Sequence, residues 1–357
     1  MKRKKRLYIH CGLHKTGTTA LQFFLRNNTE RLRTAGVLYP NAGCLDLVGS
    51  GHHNIAWQMA RDRRFKKEYG DVEALLKEIG NFGGDILLSS EDFESSLDKP
   101  GSFTALVRIA NSTQRELVLI IYIRNQIFYL ESLYCEMLKH GFAEEYKTLA
   151  EQVIERKMLS MKEWVFHFDY LRIARHVARI PNARVVFRSF HNLQNNSIFG
   201  DFKSVLALDP SPDGEAVNLR LHERDTPATS LTLFYQNRIG RSLRRAEMEI
   251  LERLCPDNFR KIKTGDLLRK ALANTFRKTN KILCWKYRIP CKGLISEEPR
   301  DEIAGLPARF ERLFSFETQC VIREMALETA SFDPPDNRGP AATENAISAW
   351  WTNQKGG

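Results

Sequence analysis

The segment Gly12-Leu13-His14-Lys15-Thr16-Gly17-Thr18-Thr19 constrains this chain more than any other. It joins a short apolar run, Leu7–Leu13, to Thr18–Asn27, where Leu21, Phe24 and Leu25 have helical spacing. A strand, a glycine-bearing loop and a helix in succession aim several backbone N–H groups at one point. The helix N-terminus adds about half a positive charge there. Gly12 and Gly17 let the backbone turn tightly and approach an oxyanion. Lys15 brings an ammonium group, and Thr16, Thr18 and Thr19 bring hydroxyl donors. The pattern predicts an anion cradle at a sheet edge.

The first 190 or so residues alternate strand-like and helix-like segments. Val37–Tyr39 reads as a brief strand, and Asp85–Ser89 and Leu117–Ile123 as continuous apolar strands of the kind buried on both faces of a parallel sheet. Ala183–Phe187 is a fifth strand. Helices are expected at Val72–Gly80 and Gln126–His140. Alternation of this kind implies parallel strands with right-handed crossovers, hence a three-layer α/β domain with a central parallel sheet of about five strands, P-loop-like by virtue of the glycine-bearing loop after its first strand. Beyond about residue 205 the strands stop, and Ser230–Cys255, Asn258–Leu283 and Glu311–Thr329 read as helices. The expected organisation is one domain over 1–332, with a core at 7–205, a helical C-terminal extension at 206–332 and a loose tail at 333–357.

With 43% hydrophobic and 27% charged residues, the composition excludes wholesale disorder. No apolar run reaches the roughly 18–20 residues of a membrane span. The basic start Lys2–Arg6 is followed by too short an apolar stretch, containing His10, for a signal peptide, so the reading is a cytoplasmic chain. Without a secretory signal, the glycosylation-like tripeptides at Asn27, Asn111 and Asn195 carry no weight. Seven scattered cysteines without a C-x-x-C pair suggest reduced thiols. No metal-ligand spacing occurs, since the neighbours His52 and His53 cannot readily share an ion, and no metal is expected. Net charge is +11, and Arg220–Arg288 holds 17 basic against 7 acidic residues. That excess suits an anionic partner, such as an acidic glycan or the face of a membrane touched peripherally, or simply solvated helix faces.

The loop is not the nucleoside-triphosphate version, in which lysine follows the second glycine. Here Lys15 precedes Gly17, and Thr18 stands where that lysine would be. Arg124, not a carboxylate, ends the strand Leu117–Ile123. Leu7–Leu21 (LYIHCGLHKTGTTAL) resembles the 5′-phosphosulfate loop of sulfotransferases that use 3′-phosphoadenosine 5′-phosphosulfate (PAPS), especially bacterial and glycan-modifying members. VLIIYIRNQIFYLES resembles their 3′-phosphate element, an arginine ending a strand with a serine eight residues on, here Arg124 and Ser132. The likeness covers about 7–205, including GVLYP and FGDFKSVLAL; Lys292–Gly293 is the nearest match to a further basic–glycine pair that the family often has there. The resemblance implies PAPS as co-substrate, held by His14, Lys15, Thr16, Gly17, Thr18, Thr19, Arg124 and Ser132. With the basic surplus, the expected acceptor is a carbohydrate or glycolipid.

Sulfuryl transfer needs charge stabilisation, for which Lys15 is placed, and a base for the acceptor proton. Glu91 is the first expectation, because it ends a rigid buried strand; with Asp92 it would otherwise cap the next helix. His53, read as lying on a glycine-containing loop, is the second, with substrate contact as its other reading. His10 and Cys11 are expected to be packed. Two other readings stay open: a nucleoside or sugar kinase, which the lysine position disfavours, and a non-catalytic polyanion or nucleic-acid binder using 220–288, without a recognisable nucleic-acid motif.

Overall fold

The computed structural model describes residues 3–45, 51–97, 99, 101–193, 197–208, 227–243, 245–254, 264–295, 314–315 and 322. The chain begins with β1 (Arg6–His10), α1 (Thr18–Asn27), α2 (Thr29–Thr34), β2 (Val37–Leu38), α3 (His53–Ala60), α4 (Val72–Ile79) and β3 (Asp85–Ser89). A 3₁₀ helix, Glu91–Ser96, leads to α5 (Thr104–Ser112), β4 (Glu116–Ile123) and α6 (Gln126–Lys139). Then come α7 (Tyr146–Arg156), β5 (Met158–Met161), β6 (Trp164–His167), α8 (Tyr170–Val177), β7 (Ala183–Ser189) and α9 (Ile198–Leu206). The described C-terminal elements are α10 (Pro227–Ile239), α11 (Arg245–Leu254) and α12 (Asp266–Tyr287).

The main sheet is parallel, in the order β2-β3-β1-β4-β7. It is flanked by helices, as the alternating sequence predicts. The anion-loop strand β1 is central, in register with β3 (Ile9 opposite Leu88) and β4 (Ile9 opposite Leu119). On one face Tyr8, Leu87, Val118, Ile120 and Tyr122 pack with Leu21 and Leu25 of α1 and Phe202 and Leu206 of α9. The alternate residues Leu7, Ile9, Leu117 and Leu119 are buried too, which requires cover on the other face, where α5 packs against β4. Within FGDFKSVLAL, the buried Asp201 accepts from the Tyr122 hydroxyl at 2.6 Å and from Arg188 Nε at 2.9 Å, tying α9 to β4 and β7. Local signals set the helix starts: Asp71 accepts from Ala74 N–H at the head of α4, and Asp169 from Arg172 N–H at the head of α8.

Several sequence expectations need correction. The region of His53 is helix α3, not loop. Two strands were not anticipated: β5 and β6 form an antiparallel hairpin, Leu159 opposite Phe166, turning at Lys162 with φ 53°. The expected helix Ser230–Cys255 is two helices, separated after Gly240 (φ 68°). The third C-terminal helix starts at Asp266 and runs past Leu283 to Tyr287. Apart from 314, 315 and 322, the expected helix Glu311–Thr329 lies outside the described residues, as does the tail 333–357.

The described residues fall into two compact units. One lies within Met1–Tyr129, Gln152–Glu223 and Leu272–Glu297, the other within Leu130–Glu151, Arg224–Ala271 and Glu298–Gly357. The first holds the sheet. In the second, Tyr134 meets the rings of Phe142, Tyr146 and Phe314, and Glu131 accepts from Thr264 N–H and hydroxyl, both at 2.8 Å. Among the described residues no helix is long and apolar enough to cross a membrane.

Candidate functional site

A parallel sheet of this order leaves its ligand crevice at the carboxyl ends of the strands. The loops after β1, β3, β4 and β7 all lie on that edge. After β1 the chain enters the anion loop, where Lys15 (φ 61°) and Gly17 (φ 81°) both adopt the left-handed conformation. For lysine that conformation costs about 1–2 kcal/mol, and such strain is characteristic of ligand loops. Gly17 is the N-cap of α1; no side chain caps the helix and no acidic residue stands in its first turn. The N-terminal field therefore meets no compensating carboxylate within the turn.

The loop is built tightly. A Cβ on Gly12 would lie 2.3 Å from Thr18 Cγ2 and 2.9 Å from His10 Nε2, so only glycine fits. Thr16 is buried and its hydroxyl donates to Leu13 O at 2.6 Å, which closes the loop. His14 is held from behind: its N–H donates to Glu94 Oε2 at 3.1 Å and its Nδ1 to the same oxygen at 2.8 Å. Glu94, 0% exposed, also accepts from the Tyr129 hydroxyl at 3.1 Å and from His167 N–H at 2.8 Å. One buried carboxylate thus ties the anion loop to α6 and to the β5–β6 hairpin. Burial disfavours the charged His14 ring, but the Glu94 hydrogen bond and charge outweigh it, and its pKa is raised.

The second predicted element meets the first. Arg124, at the end of β4, donates from Nη1 to the Lys15 carbonyl at 2.9 Å, and its guanidinium lies 5.7 Å from the centre of the Phe190 ring. Phe190 follows β7 and approaches the Gly17 position. Beside Arg124, Asn125 Nδ2 donates to the carbonyls of Gly293 and Leu294, both at 3.2 Å, and Asn192 Nδ2 donates to the Lys292 carbonyl. Lys292–Gly293, distant in sequence, is thereby anchored at the β4 and β7 edge. Ser132 is partly exposed on α6.

After β3, Ser90 caps the 3₁₀ helix by accepting from Asp92 N–H at 3.1 Å, so Glu91 is not the cap. Glu91 Oε2 accepts from Gln22 Nε2 of α1 at 2.7 Å. The two adjacent histidines differ completely. His52 is buried, accepts Ser89 N–H on Nδ1 at 3.1 Å and donates from Nε2 to Pro40 O at 3.0 Å; burial lowers its pKa to about 3. It is a fixed neutral strut between β2 and β3. His53 starts α3, 7% exposed, with Nδ1–H donating to Asp92 Oδ2 at 2.9 Å and Ser90 Oγ at 3.0 Å. Its Nε2 carries no hydrogen bond among the described residues. A Cβ on Gly51 would fall 2.9 Å from both His53 Nε2 and Gln22 Nε2, so that nitrogen faces the Gln22–Glu91 pair. Burial opposes its charged form, but Glu91 and Asp92 outweigh that and raise its pKa. Asp92 lies against burial's upward push yet is held at about 2 by His53 and Arg64.

His10 and Cys11 are packed as expected. His10 binds Ser89 Oγ at 2.8 Å through Nδ1, and burial lowers its pKa to about 3; burial raises the Cys11 thiol. Among the described residues no group of three or more His, Cys, Asp or Glu side chains is disposed to hold a metal ion. Glu94, Gln22 and the Asp92–His53 bond escaped the sequence reading. Only the acidic run Glu91, Asp92, Glu94 after a strand could have flagged them. The site therefore pairs a left-handed, uncapped anion loop and an adjoining arginine with a histidine whose Nδ1 is steadied by a carboxylate. No family model matches this chain, nor does any curated protein or solved structure.

Proposed function

We propose that this chain is a sulfotransferase that moves a sulfuryl group from PAPS to a hydroxyl or amine of an acceptor. The observation carrying this reading is the Arg124–Lys15 contact, which joins a glycine-bearing anion loop and an arginine suited to phosphate at one edge. A donor with phosphate groups at both 5′ and 3′ positions needs two such anion sites side by side. The residues fit it: uncapped α1 amides and Lys15 for the 5′-phosphosulfate, and Arg124 with the adjoining Lys292–Gly293 segment for the 3′-phosphate. Arg124 can fork onto phosphate oxygens, a geometry lysine lacks.

In the reaction the bond from sulfur to the bridging phosphate oxygen breaks, and the acceptor oxygen or nitrogen forms the new bond to sulfur. Lys15 offsets the charge growing on the departing phosphate. The acceptor's proton passes to a base. Burial and the Asp92 bond favour His53 over Glu91 in this role: Asp92 fixes the ring and leaves Nε2 as the acceptor nitrogen, the base-and-orienter arrangement. The expectation for Glu91 sets its rigid strand end against a glycine-containing loop at His53, and that segment is helix α3. Glu91 then acts by raising His53 basicity. The basic surplus of 220–288 favours an anionic carbohydrate or glycolipid acceptor.

The test is thermal shift with adenosine 3′,5′-bisphosphate against ATP–Mg²⁺. A ligand at about 100 times its Kd stabilises by about 2.7 kcal/mol, a rise of about 3–5 °C for a chain this size. A rise with ATP–Mg²⁺ and none with the bisphosphate would favour a kinase instead.

A further inference from the structure

The C-terminal half of α12 has an outward face that the candidate site does not use. Leu272, Phe276, Leu283 and Cys284 are buried, and Asn280 exchanges hydrogen bonds with Gln126 at 2.9 Å in both directions. These positions fix which side of the helix faces the protein. On the opposite side lie Lys278, Lys281, Ile282, Trp285 and Lys286, all exposed. Trp285 is 84% and Ile282 39% exposed, two of the few large apolar side chains left in solvent among the described residues. They are one turn apart and ringed by ammonium groups. From Leu272 to Ile295 the sequence holds six cations (Arg277, Lys278, Lys281, Lys286, Arg288, Lys292) and no acidic residue.

We propose that this face docks on the surface of an anionic lipid bilayer. Tryptophan and isoleucine projecting from a cationic helix suit the boundary between headgroups and acyl chains, where indole is half apolar and half polar. The surrounding lysines meet lipid phosphates and carboxylates within a Debye length. A nucleic acid would use the cations and stack on Trp285, but it has no use for Ile282. A protein partner would need an acidic patch of matching length to balance a segment with no acid of its own. The bilayer alone engages every exposed group of the face. The same segment runs on to Lys292–Gly293 at the candidate site, so docking would hold that edge of the sheet close to the headgroups.

The experiment is co-sedimentation of the full chain with phosphatidylcholine vesicles, with and without about 30% phosphatidylserine, in rising salt. Binding is expected only to the anionic vesicles, and it should weaken about tenfold or more between about 0.1 and 0.5 M NaCl. Trp285→Ser should weaken it by about tenfold, because an inserted aromatic is removed while every charge remains. Lys278→Glu/Lys281→Glu should abolish it; both variants alter exposed positions, and circular dichroism confirms the fold. Absence of binding to anionic vesicles, or binding that Trp285→Ser leaves unchanged, overturns the proposal. So does a single-stranded oligonucleotide that binds more tightly than the vesicles with the same Trp285 dependence. None of these readouts uses sulfuryl transfer, so they stand or fall separately from the proposed activity.

Discussion

Replacing Glu94 by glutamine probes how the anion loop is held. The carboxylate accepts from His14 N–H and Nδ1 on Oε2, from His167 N–H on Oε1, and from the Tyr129 hydroxyl on both oxygens. Glutamine keeps one oxygen and places an NH₂ at the other. With NH₂ at the Oε1 site it faces His167 N–H, donor against donor; at the Oε2 site it faces His14 N–H and ring. Either way at least one buried amide loses its acceptor and the new NH₂ is left facing a donor, at about 1–3 kcal/mol each. A total of about 3 kcal/mol is a large share of the roughly 5–15 kcal/mol that holds a typical fold, and it lowers Tm by about 3–5 °C. Because His14 is the first loop residue displaced, affinity for adenosine 3′,5′-bisphosphate should fall at least tenfold. The pH dependence carries a signature. His14 has a raised pKa in the fold, so its pairing with Glu94 stabilises fully below about pH 6.5 and is lost as pH rises through the raised value. The wild-type advantage over Glu94→Gln, read from urea midpoints, should thus be larger at pH 6 than at pH 9. The exposed control Glu73→Gln should shift stability by less than about 0.5 kcal/mol. An unchanged Tm with unchanged bisphosphate affinity refutes the bracing role.

Four further outcomes are expected. Gly12→Ala forces a methyl to 2.3 Å from Thr18 Cγ2, so the loop must shift; bisphosphate affinity should drop sharply while Tm changes far less, and calorimetric titration checks this. Lys15→Ala should lower kcat by about 10²–10³-fold with the fold intact, as loss of one charge-stabilising donor does; retention of more than a tenth of the rate contradicts the leaving-group role. Arg124→Ala should weaken the 3′,5′-bisphosphate strongly and adenosine 5′-phosphosulfate little; equal losses would mean it reads no 3′-phosphate. If His53 is the base, kcat should rise with pH through its raised pKa, above 6.5, and His53→Ala should abolish turnover, whereas turnover that survives His53→Ala and is lost in Glu91→Gln would return the role to Glu91.

The amino-acid sequence by itself determined the parallel sheet and the anion loop, because both are local. Strands buried on two faces are apolar without interruption, as at Ile86–Leu88 and Leu117–Ile123, and such runs show without any partner. The loop is a contiguous string whose glycines and lysine directly follow one strand and precede one helix. Helix α3 was missed because its eight residues lack a capping side chain and a sustained apolar stripe; what holds His53 there is Asp92, 39 positions away. The β5–β6 hairpin was missed because four-residue strands give too short an alternation to be distinguished from helix turns. Only tertiary structure separated His52 from His53, neighbours whose residue type and loop were identical on paper. One is kept neutral by burial, its ring fixed by Pro40 and Ser89; the other is raised by Glu91 and Asp92. The same holds for Glu94 and for Lys292–Gly293. Hydrogen bonds to His14, 80 residues back, and to Asn125, 168 residues away, give them their positions. A carboxylate's partners and a histidine's pKa are set by what folding brings within about 3 Å, and sequence spacing carries no record of that.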